Sequence, residues 1–235
     1  MVALVAQSFN ASRFGGRWMG FSLKWYARLF ENRPIWDALW NSLFVALVGT
    51  GVSVVLGTLS GWAMHRYRGG LQRVHHSLVY APLVVPDVLM GISLLLLFVN
   101  SGVPLGLGTI SLAHITFCIS YVAFVVLGRL QEFDDSVLDA ARDLGAGWWT
   151  TFWRVVLPML APGIASGAVL AFTLSIDDFV ITFFVAGPGS TTLPVHVYSM
   201  IRHGTPTLIN ALSGLLMAVT FGLVLLGQRF IRQSR

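Results

Sequence analysis

Long apolar stretches recur along this chain, and they constrain its fold more than any other feature. A helix crosses a bilayer with roughly 20 mostly apolar residues, and five stretches reach that length: 38–64, 77–99, 109–128, 159–186 and 208–228. A shorter apolar segment at 1–8 resembles the last turns of a further span whose beginning is absent. Only 11% of the residues are charged, against about 25% in soluble domains. The sequence therefore predicts one all-α integral membrane domain over residues 1–235, with five full spans and the remnant of a sixth.

The basic residues predict how these spans are oriented, because Lys and Arg are enriched in cytoplasmic loops. If the chain changes sides at each span, segment 65–76, segment 129–158 and the C-terminal tail share one side, and each holds three arginines. The opposite side holds Arg202 and the five basic residues of segment 9–37. The larger count predicts that 65–76, 129–158 and the C terminus are cytoplasmic.

The basic residues of segment 9–37 weaken that count, and an interfacial location for GFSLKWYARLF (20–30) would reduce the conflict. In that position Lys24 and Arg28 would reach water along their apolar stems. The aromatic side chains expected to anchor at headgroup level are Trp18, Trp25, Tyr26 and Trp36.

Segment 132–158, EFDDSVLDAARDLGAGWWTTFWRVVLP, predicts a helix, a glycine turn and a second helix. Asp134 and Asp135 can cap the first helix, since negative charge is favourable near its positive end. Gly145 can end that helix in a left-handed conformation. One modest apolar face is predicted at helical spacing, formed by Val137, Ala140, Ala141 and Leu144. On these residues alone the loop is either a connector with tryptophans at the headgroups or a docking element for a partner.

Seven positions of this loop resemble the EAA loop of ABC-importer permease subunits, whose pattern is E-A-A-x3-G-x9-I-x-L-P. They are Asp139, Ala140, Ala141, Gly145, Val155, Leu157 and Pro158. Asp139 replaces Glu and Val155 replaces Ile, and the other five positions match at the same spacing. The resemblance implies a type I importer-permease bundle with a cytoplasmic coupling helix that fits a groove on an ATPase subunit. It further implies a second permease subunit and an extracytoplasmic substrate-binding protein as partners.

Other chemistry finds little support in the sequence. The chain has no G-x-x-x-x-G-K-[ST] phosphate loop, so ATP and Mg²⁺ would belong to the separate ATPase and this chain would hold no cofactor. The histidines His65, His75 and His76 have no nearby carboxylate or cysteine, which favours a polar rim over a metal site. Cys118 is predicted to be a small core residue. The net charge of +5 comes from arginines and lysines at span ends, so a nucleic-acid partner is not expected.

Three carboxylates, Asp87, Asp177 and Asp178, lie inside apolar stretches, where a charge costs roughly 2.5–3.5 kcal/mol at the bilayer centre. Pro82 and Pro86 near the first of them predict a distorted helix, and broken helices line aqueous paths in transporters. Either the carboxylates form hydrogen-bonded pairs that fix helix packing, or at least one lines a route for a cation. Adjacent helical residues point about 100° apart, so Asp177 and Asp178 are expected to differ, one facing a path and the other paired.

Segment 172–199, FTLSIDDFVITFFVAGPGSTTLPVHVYS, resembles spermidine/putrescine permeases, as do SFNASRFGGRW, KWYARL, APLVVPDVLMGISLLLLF and AHITFCISYVAF. The resemblance implies import of a polyamine across a bacterial cytoplasmic membrane by alternating access. Segment 187–207 is then a candidate contact for the binding protein. Two alternatives stay open: a similar permease for iron, thiamine or a sulfonate-like anion, and an intramembrane aspartyl protease built on two aspartates. The acidic charges disfavour the anion, and the YD and GxGD motifs of the protease are absent.

Overall fold

The computed structural model describes residues 2–12, 17–132, 136–202, 204 and 206–233, and the regular elements in this part of the chain are helices. In chain order they are α1 (Val2–Ser8), α2 (Lys24–Glu31), α3 (Arg33–Arg66), α4 (Gly70–Val84), α5 (Asp87–Asn100), α6 (Leu107–Gln131), α7 (Ser136–Asp143), α8 (Trp148–Thr151), α9 (Leu157–Asp177), α10 (Val180–Val185), α11 (Leu193–Arg202) and α12 (Pro206–Gln233). A π-helical turn, Phe152–Val156, joins α8 to α9. The predicted all-α fold is confirmed for these residues.

The chain divides into two compact units. The first comprises Met1–Leu39 with Leu193–Arg235, and the second comprises Trp40–Thr192. The helix α3 begins in the first unit and continues into the second. The interpretation of residues 1–235 as one membrane domain stays a prediction.

Three helical stretches in the described residues are long and apolar enough to cross a membrane: α3, α6 and Trp148–Asp177. The pair formed by α4 and α5 is a fourth candidate, bent by 114° at its break. Within the described side chains of α12, the apolar part covers Thr207–Gly222 and is shorter than these. Predicted spans 38–64 and 109–128 thus correspond to single helices, while the total of five spans stays a prediction.

Two predicted spans are not continuous helices. The stretch 77–99 is interrupted at Val85, which is extended with ψ of 128°, because a residue before proline is disfavoured in the helical region. The distortion expected near Pro86 is therefore confirmed. The stretch 159–186 is interrupted at Asp178, which is extended with ψ of 123°. The break at Asp178 was not expected from the sequence, and each break lies beside one of the predicted membrane carboxylates.

The helix α6 forms the centre of the second unit. Its residues Cys118, Val122 and Val126 are fully buried, as predicted for the cysteine. A Cβ atom on Gly57 would lie 2.7 Å from the Val122 side chain, and one on Gly163 would lie 2.9 Å from Arg129 Cβ. The glycines at 61 and 167 also contact α6. The pairs Gly57–Gly61 and Gly163–Gly167 therefore allow α3 and α9 to approach α6 closely.

The core of the first unit contains a tryptophan that was predicted to face the membrane. Trp25 is buried among residues of α2, α3, α11 and α12, including Leu29, Ile35 and Leu212. Lys24 Nζ and Arg28 Cζ each lie 5.1 Å from the centre of the Trp25 ring. The expectation that Trp25 anchors in the headgroups was therefore wrong. Its ring packs in the core of the first unit, and the cationic groups of Lys24 and Arg28 lie over it.

Candidate functional site

The site is built from the two helix breaks of the second unit. The helices α5 and α10 pack closely where a Cβ on Gly91 would lie 2.7 Å from the Phe184 ring. A Cβ on Gly187, just after α10, would overlap the carbonyl of Leu105, which follows α5. The C-terminal ends of α5 and α10 therefore lie together, so the two helices run in the same direction and their N-terminal ends also lie on one side. That end carries Asp87, the first residue of α5, and the aspartates before α10.

Asp178 is largely shielded from solvent and satisfied by hydrogen bonds. Its Oδ2 accepts from the Thr182 backbone N–H at 2.8 Å and from the Thr182 hydroxyl at 2.8 Å, and its Oδ1 accepts from Ile181 N–H at 3.3 Å. These bonds satisfy the first turn of α10, whose N–H groups have no partner within the helix. His114 Nε2 on α6 lies 3.3 Å from the same Oδ2. Only 10% of the Asp178 side chain is exposed.

His114 connects the break to the central helix. Its side chain is 1% exposed, and its Nε2 also lies 2.9 Å from the Thr182 hydroxyl. Its Nδ1 lies 2.6 Å from the Ser175 hydroxyl on α9. Because an ionised carboxylate only accepts, the contact with Asp178 assigns a proton to Nε2. The histidine thus links α6, the end of α9 and the start of α10 in one buried polar network.

Asp177 and Asp87 have different surroundings from Asp178. Both are exposed in the second unit. Asp87 follows Pro86 in the first turn of α5, where the helix dipole favours a negative charge. Of the adjacent aspartates, Asp178 is therefore paired and Asp177 is exposed. The helical offset does not explain this difference, because Asp178 is extended at the end of α9, and the assignment of either carboxylate to a path stays a prediction.

Aromatic rings adjoin the break between α9 and α10. The Phe179 and Phe183 rings have centroids 5.5 Å apart, and Phe183 and Phe184 meet edge to face at 5.7 Å. Phe183 is exposed. Ring faces beside carboxylates are a setting that attracts ammonium groups through Coulomb and cation–π forces.

The EAA-like loop has the predicted form of helix, glycine turn and helix. Gly145 has φ of +78°, and Ala146 N–H donates to Ala141 O at 3.0 Å while Gly145 N–H donates to Arg142 O at 2.8 Å. This pair of bonds is a Schellman ending of α7. Pro158 is the second residue of α9 and follows directly on the π-helical turn Phe152–Val156. The helix continues from α8 through this turn, so Pro158 removes one N–H donor inside a continuous helical stretch. The docking role of the loop stays a prediction.

The exposed side of this loop differs from the apolar face that spacing predicted. Ala141 is buried and Leu138 packs on the core, whereas Ala140 and Leu144 are exposed. The prediction that both alanines lie on one apolar face of α7 was therefore wrong. Asp139 lies on the open side and accepts from Arg142 at 3.1 Å. The predicted caps Asp134 and Asp135 lie outside the described residues. Three large apolar side chains are exposed beside α7 and in α8: Leu144, Trp148 and Trp149.

The remaining candidate segments form local contacts. His75 Nε2 lies 3.1 Å from the Ser60 hydroxyl, and the His76 ring packs on Tyr80 and Phe124. In segment 187–207, burial lowers the pKa of His196 below its ordinary value. The guanidinium of Arg202 lies 5.9 Å from the Tyr198 ring on α11.

Comparison with known proteins decides the family. Residues 53–232 match the family described as the inner membrane component of binding-protein-dependent transport systems. This chain belongs to that family. The permease is therefore a multi-pass inner-membrane transport subunit and not an enzyme, and the aspartyl-protease interpretation is wrong.

Relatives of the permease match along nearly its whole length. The spermidine/putrescine transport system permease protein PotC of Escherichia coli strain K12 is 38% identical over 234 residues, which cover 100% of this chain and 89% of that protein. The putrescine transport system permease protein PotI of the same strain is 43% identical over 226 residues, which cover 92% of this chain and 80% of that protein.

Solved structures share the fold of the permease. A chain of a bacterial ABC transporter involved in the import of the acidic polysaccharide alginate superposes with a TM-score of 0.75 and 14% identity, covering 97% of the permease and 89% of that chain. A chain of the methionine ABC transporter MetNI in an inward-facing conformation superposes with a TM-score of 0.68 and 20% identity, covering 84% of the permease and 94% of that chain. At these identities the likeness establishes the fold, which is that of ABC-importer permeases.

Sequence reasoning missed His114 as part of the site. A histidine in an apolar span needs polar partners, and this was the signal available. Its partners Ser175 and Asp178 lie more than 60 residues further along the chain, so their identity depends on the packing of α6 against α9.

Proposed function

We propose that this permease moves polyamines such as putrescine and spermidine across the cytoplasmic membrane as the membrane subunit of an ATP-driven importer. The observation that carries the proposal is the match, over the whole chain, with a permease protein of a spermidine/putrescine transport system. The charges of the chain support it. The membrane stretches 77–99 and 159–186 contain three aspartates and no lysine or arginine, which suits a cation better than an anion.

In this proposal Asp87 and Asp177 line the path, while Asp178 shapes the broken helix beside them. The open position of the first two carboxylates supports this division, as does the burial of the third against His114. Phe183 would offer an exposed ring face to a passing ammonium group. Alternating access would open this path to each side of the membrane in turn.

Uptake by the reconstituted importer tests the proposed substrate. The permease is combined with its ATPase, second permease subunit and binding protein in proteoliposomes, and entry of labelled putrescine and spermidine is measured with and without ATP. We expect ATP-dependent uptake of at least one polyamine, competed by the unlabelled polyamine and unaffected by an excess of thiamine or a sulfonate. ATP-dependent uptake of one of those competitors without uptake of either polyamine would contradict the proposal.

We further propose that 132–158 contacts the ATPase subunit through α7, the Gly145 turn and α8. The match of seven positions to the EAA pattern supports this assignment, with Asp139, Ala140, Ala141, Gly145, Val155, Leu157 and Pro158 as the coupling residues. Exposed Leu144, Trp148 and Trp149 give the loop an apolar surface of the kind that inserts into a groove. In this arrangement 65–76, 129–158 and the C terminus face the cytoplasm, and segment 187–207 faces the binding protein. The five spans and the N-terminal remnant complete the bundle, and ATP with Mg²⁺ binds only to the ATPase.

Replacing Gly145 with alanine tests the coupling role. A left-handed conformation costs a residue with a Cβ roughly 1–2 kcal/mol, while a Cβ on Gly145 would meet no atom within 4 Å. We expect wild-type levels of the variant in the membrane, with uptake and substrate-stimulated ATPase activity reduced about tenfold. Gly145→Asn should retain more activity because asparagine tolerates this conformation.

Gly147 provides the matched control for this substitution. It lies two residues further along the same loop, has φ of −66°, and a Cβ there would also meet no atom within 4 Å. Gly147→Ala should therefore leave uptake and ATPase stimulation unchanged. Equal losses in the two alanine variants would argue against a role for the left-handed turn.

A further inference from the structure

The loop between α1 and α2 is held in shape by a buried asparagine. Asn10 is fully buried, and its Oδ1 accepts from the backbone N–H groups of Ser12 and Met19, each at 3.0 Å. Its Nδ2 donates to Gln7 Oε1 at 2.8 Å and to Arg17 O at 3.0 Å. All the hydrogen-bonding capacity of the amide is thus used to bring both arms of the loop together.

Backbone pairing reinforces this framework. Ala11 N–H donates to Gly20 O at 2.9 Å, and Ser22 N–H donates to Phe9 O at 2.7 Å. The indole N–H of buried Trp25 donates to Asn10 O at 2.9 Å, which fixes the loop to α2. The far arm of the loop is therefore presented in a defined shape.

That arm displays large apolar side chains. We define the exposed aromatic loop as Trp18, Met19, Phe21 and Leu23, which are 54%, 69%, 70% and 56% exposed. Four such side chains in six residues form a patch of the kind that marks a contact with another molecule or with lipid. Their outward position contrasts with Trp25, which faces the core of the first unit.

The connection to α3 sets the level of this loop relative to the bilayer. The helix α2 ends at Glu31, and α3, which is long and apolar enough to cross a membrane, begins at Arg33. The two are fixed together, because Trp36 Nε1 donates to Leu29 O at 3.2 Å and the Phe30 and Trp36 rings stack at 5.8 Å. The helix α2 and the loop attached to it therefore lie at the N-terminal end of α3, just before the apolar stretch 38–64 that is predicted to span the membrane.

The charges around the loop match a phospholipid surface. Residues 17–37 contain the four basic residues Arg17, Lys24, Arg28 and Arg33 against the acidic Glu31 and Asp37. Lys24 and Arg28 are exposed on α2 while their side chains cover the Trp25 ring. Aromatic side chains beside basic residues at the end of a span are typical of the bilayer interface, where rings sit among the headgroups and cations meet phosphates.

We propose that the exposed aromatic loop is a membrane-interface anchor that inserts among the lipid headgroups, with Lys24 and Arg28 beside the phosphates. Of the anchors expected from the sequence it keeps Trp18 and loses the buried Trp25, and it adds Met19, Phe21 and Leu23. The inference requires that α3 crosses the bilayer and is independent of the substrate. In the proposed topology the anchor lies in the outer leaflet, and it holds the start of α3 at a fixed depth.

A spin label at residue 19 tests the anchor. The full importer carrying Met19→Cys is reconstituted in nanodiscs of phosphatidylcholine and phosphatidylglycerol, and label collisions with oxygen and with a water-soluble nickel chelate are measured. Cys118 is fully buried, so the importer without the added cysteine controls for labelling. We expect oxygen collisions to exceed nickel collisions at residue 19, and the reverse for Ser101→Cys in the exposed turn after α5.

Two results would overturn the anchor. Dominant nickel collisions at residue 19 would mean that the loop lies in water, and protection from both reagents would mean that another protein subunit covers it. A second variant separates insertion from folding. Adding Phe21→Ser and Leu23→Ser removes the exposed aromatic ring of Phe21 and the exposed aliphatic side chain of Leu23 but leaves Asn10 and its hydrogen bonds in place. Thermal stability should therefore be retained. The spin label at residue 19 should become more accessible to nickel. An unchanged collision ratio in that variant would contradict insertion of these side chains.

Discussion

Replacing His114 with alanine is expected to destabilise the permease by about 3 kcal/mol and to abolish uptake. Removing one partner of a buried pair costs roughly 3–5 kcal/mol. We expect the lower end, because Asp178 keeps its bonds from the Thr182 hydroxyl and from two backbone N–H groups. Ser175 would also lose its contact with the imidazole. Since the network fixes the break before α10, its loss would displace Asp177 as well.

A double-mutant cycle measures this coupling. His114→Ala, Asp178→Asn and the double variant are purified in detergent, and the free energy of unfolding is compared with uptake in proteoliposomes. Removing both partners should cost less than the sum of the single changes, because no carboxylate is then left buried without the histidine. Strictly additive losses would contradict a functional link between His114 and Asp178.

His75 supplies the control histidine for this experiment. Its ring also meets a serine hydroxyl, that of Ser60 at 3.1 Å, and it is half-buried. No carboxylate in the described part of the chain pairs with that ring, so His75→Ala should lower the free energy of unfolding by about 1 kcal/mol, the value of an ordinary hydrogen bond. A loss as large as that of His114→Ala would mean that the effect does not depend on the aspartate.

The two helix breaks were not equally predictable from the sequence. Proline restricts its preceding residue whatever the tertiary structure, so Pro86 gave a local signal for the break at Val85. The break at Asp178 has no such signal, since the nearest glycine or proline downstream is Gly187. It depends instead on hydrogen bonds to Asp178 and on His114 from another helix. Local chemistry therefore predicted one half of the site, and packing decided the other.

The turn at Gly145 was predictable for the same reason as the break at Val85. Its left-handed conformation is a property of glycine and of the end of α7. Which side of α7 faces outward was harder to predict, because alanines 140 and 141 are chemically identical and only one is buried. The docking surface thus depends on how α7 rests on the core through Leu138.

Burial within the membrane stretches could not be predicted from apolar periodicity. In a soluble helix one apolar stripe marks the core, but lipid-facing positions are apolar as well. Most residues of α6 are apolar, yet Leu112 is exposed while Ile110 and Ala113 are fully buried. The glycines gave better information, because close helix approach requires a small side chain at Gly57 or Gly163.

Neutralising the open carboxylates is the second change with a large expected effect. Asp87→Asn and Asp177→Asn should each reduce polyamine uptake about fivefold to tenfold, with little change in stability. A charge pair at 4 Å contributes about 1 kcal/mol in water and about 4 kcal/mol at an effective dielectric constant of 20. Because both carboxylates are exposed, the value near water applies, and each 1.4 kcal/mol corresponds to a factor of ten.

Asp37→Asn is the matched control, since it removes an equally exposed carboxylate from the first turns of α3, outside the site. Uptake is measured over a range of polyamine concentrations, together with the ATPase activity that the loaded binding protein stimulates. Raised KM with normal stability in the two site variants, and wild-type behaviour of Asp37→Asn, would support a path lined by Asp87 and Asp177. Normal uptake in both site variants would remove these carboxylates from the path. Membership of the importer family would stand, because it rests on the match over residues 53–232 and not on either aspartate.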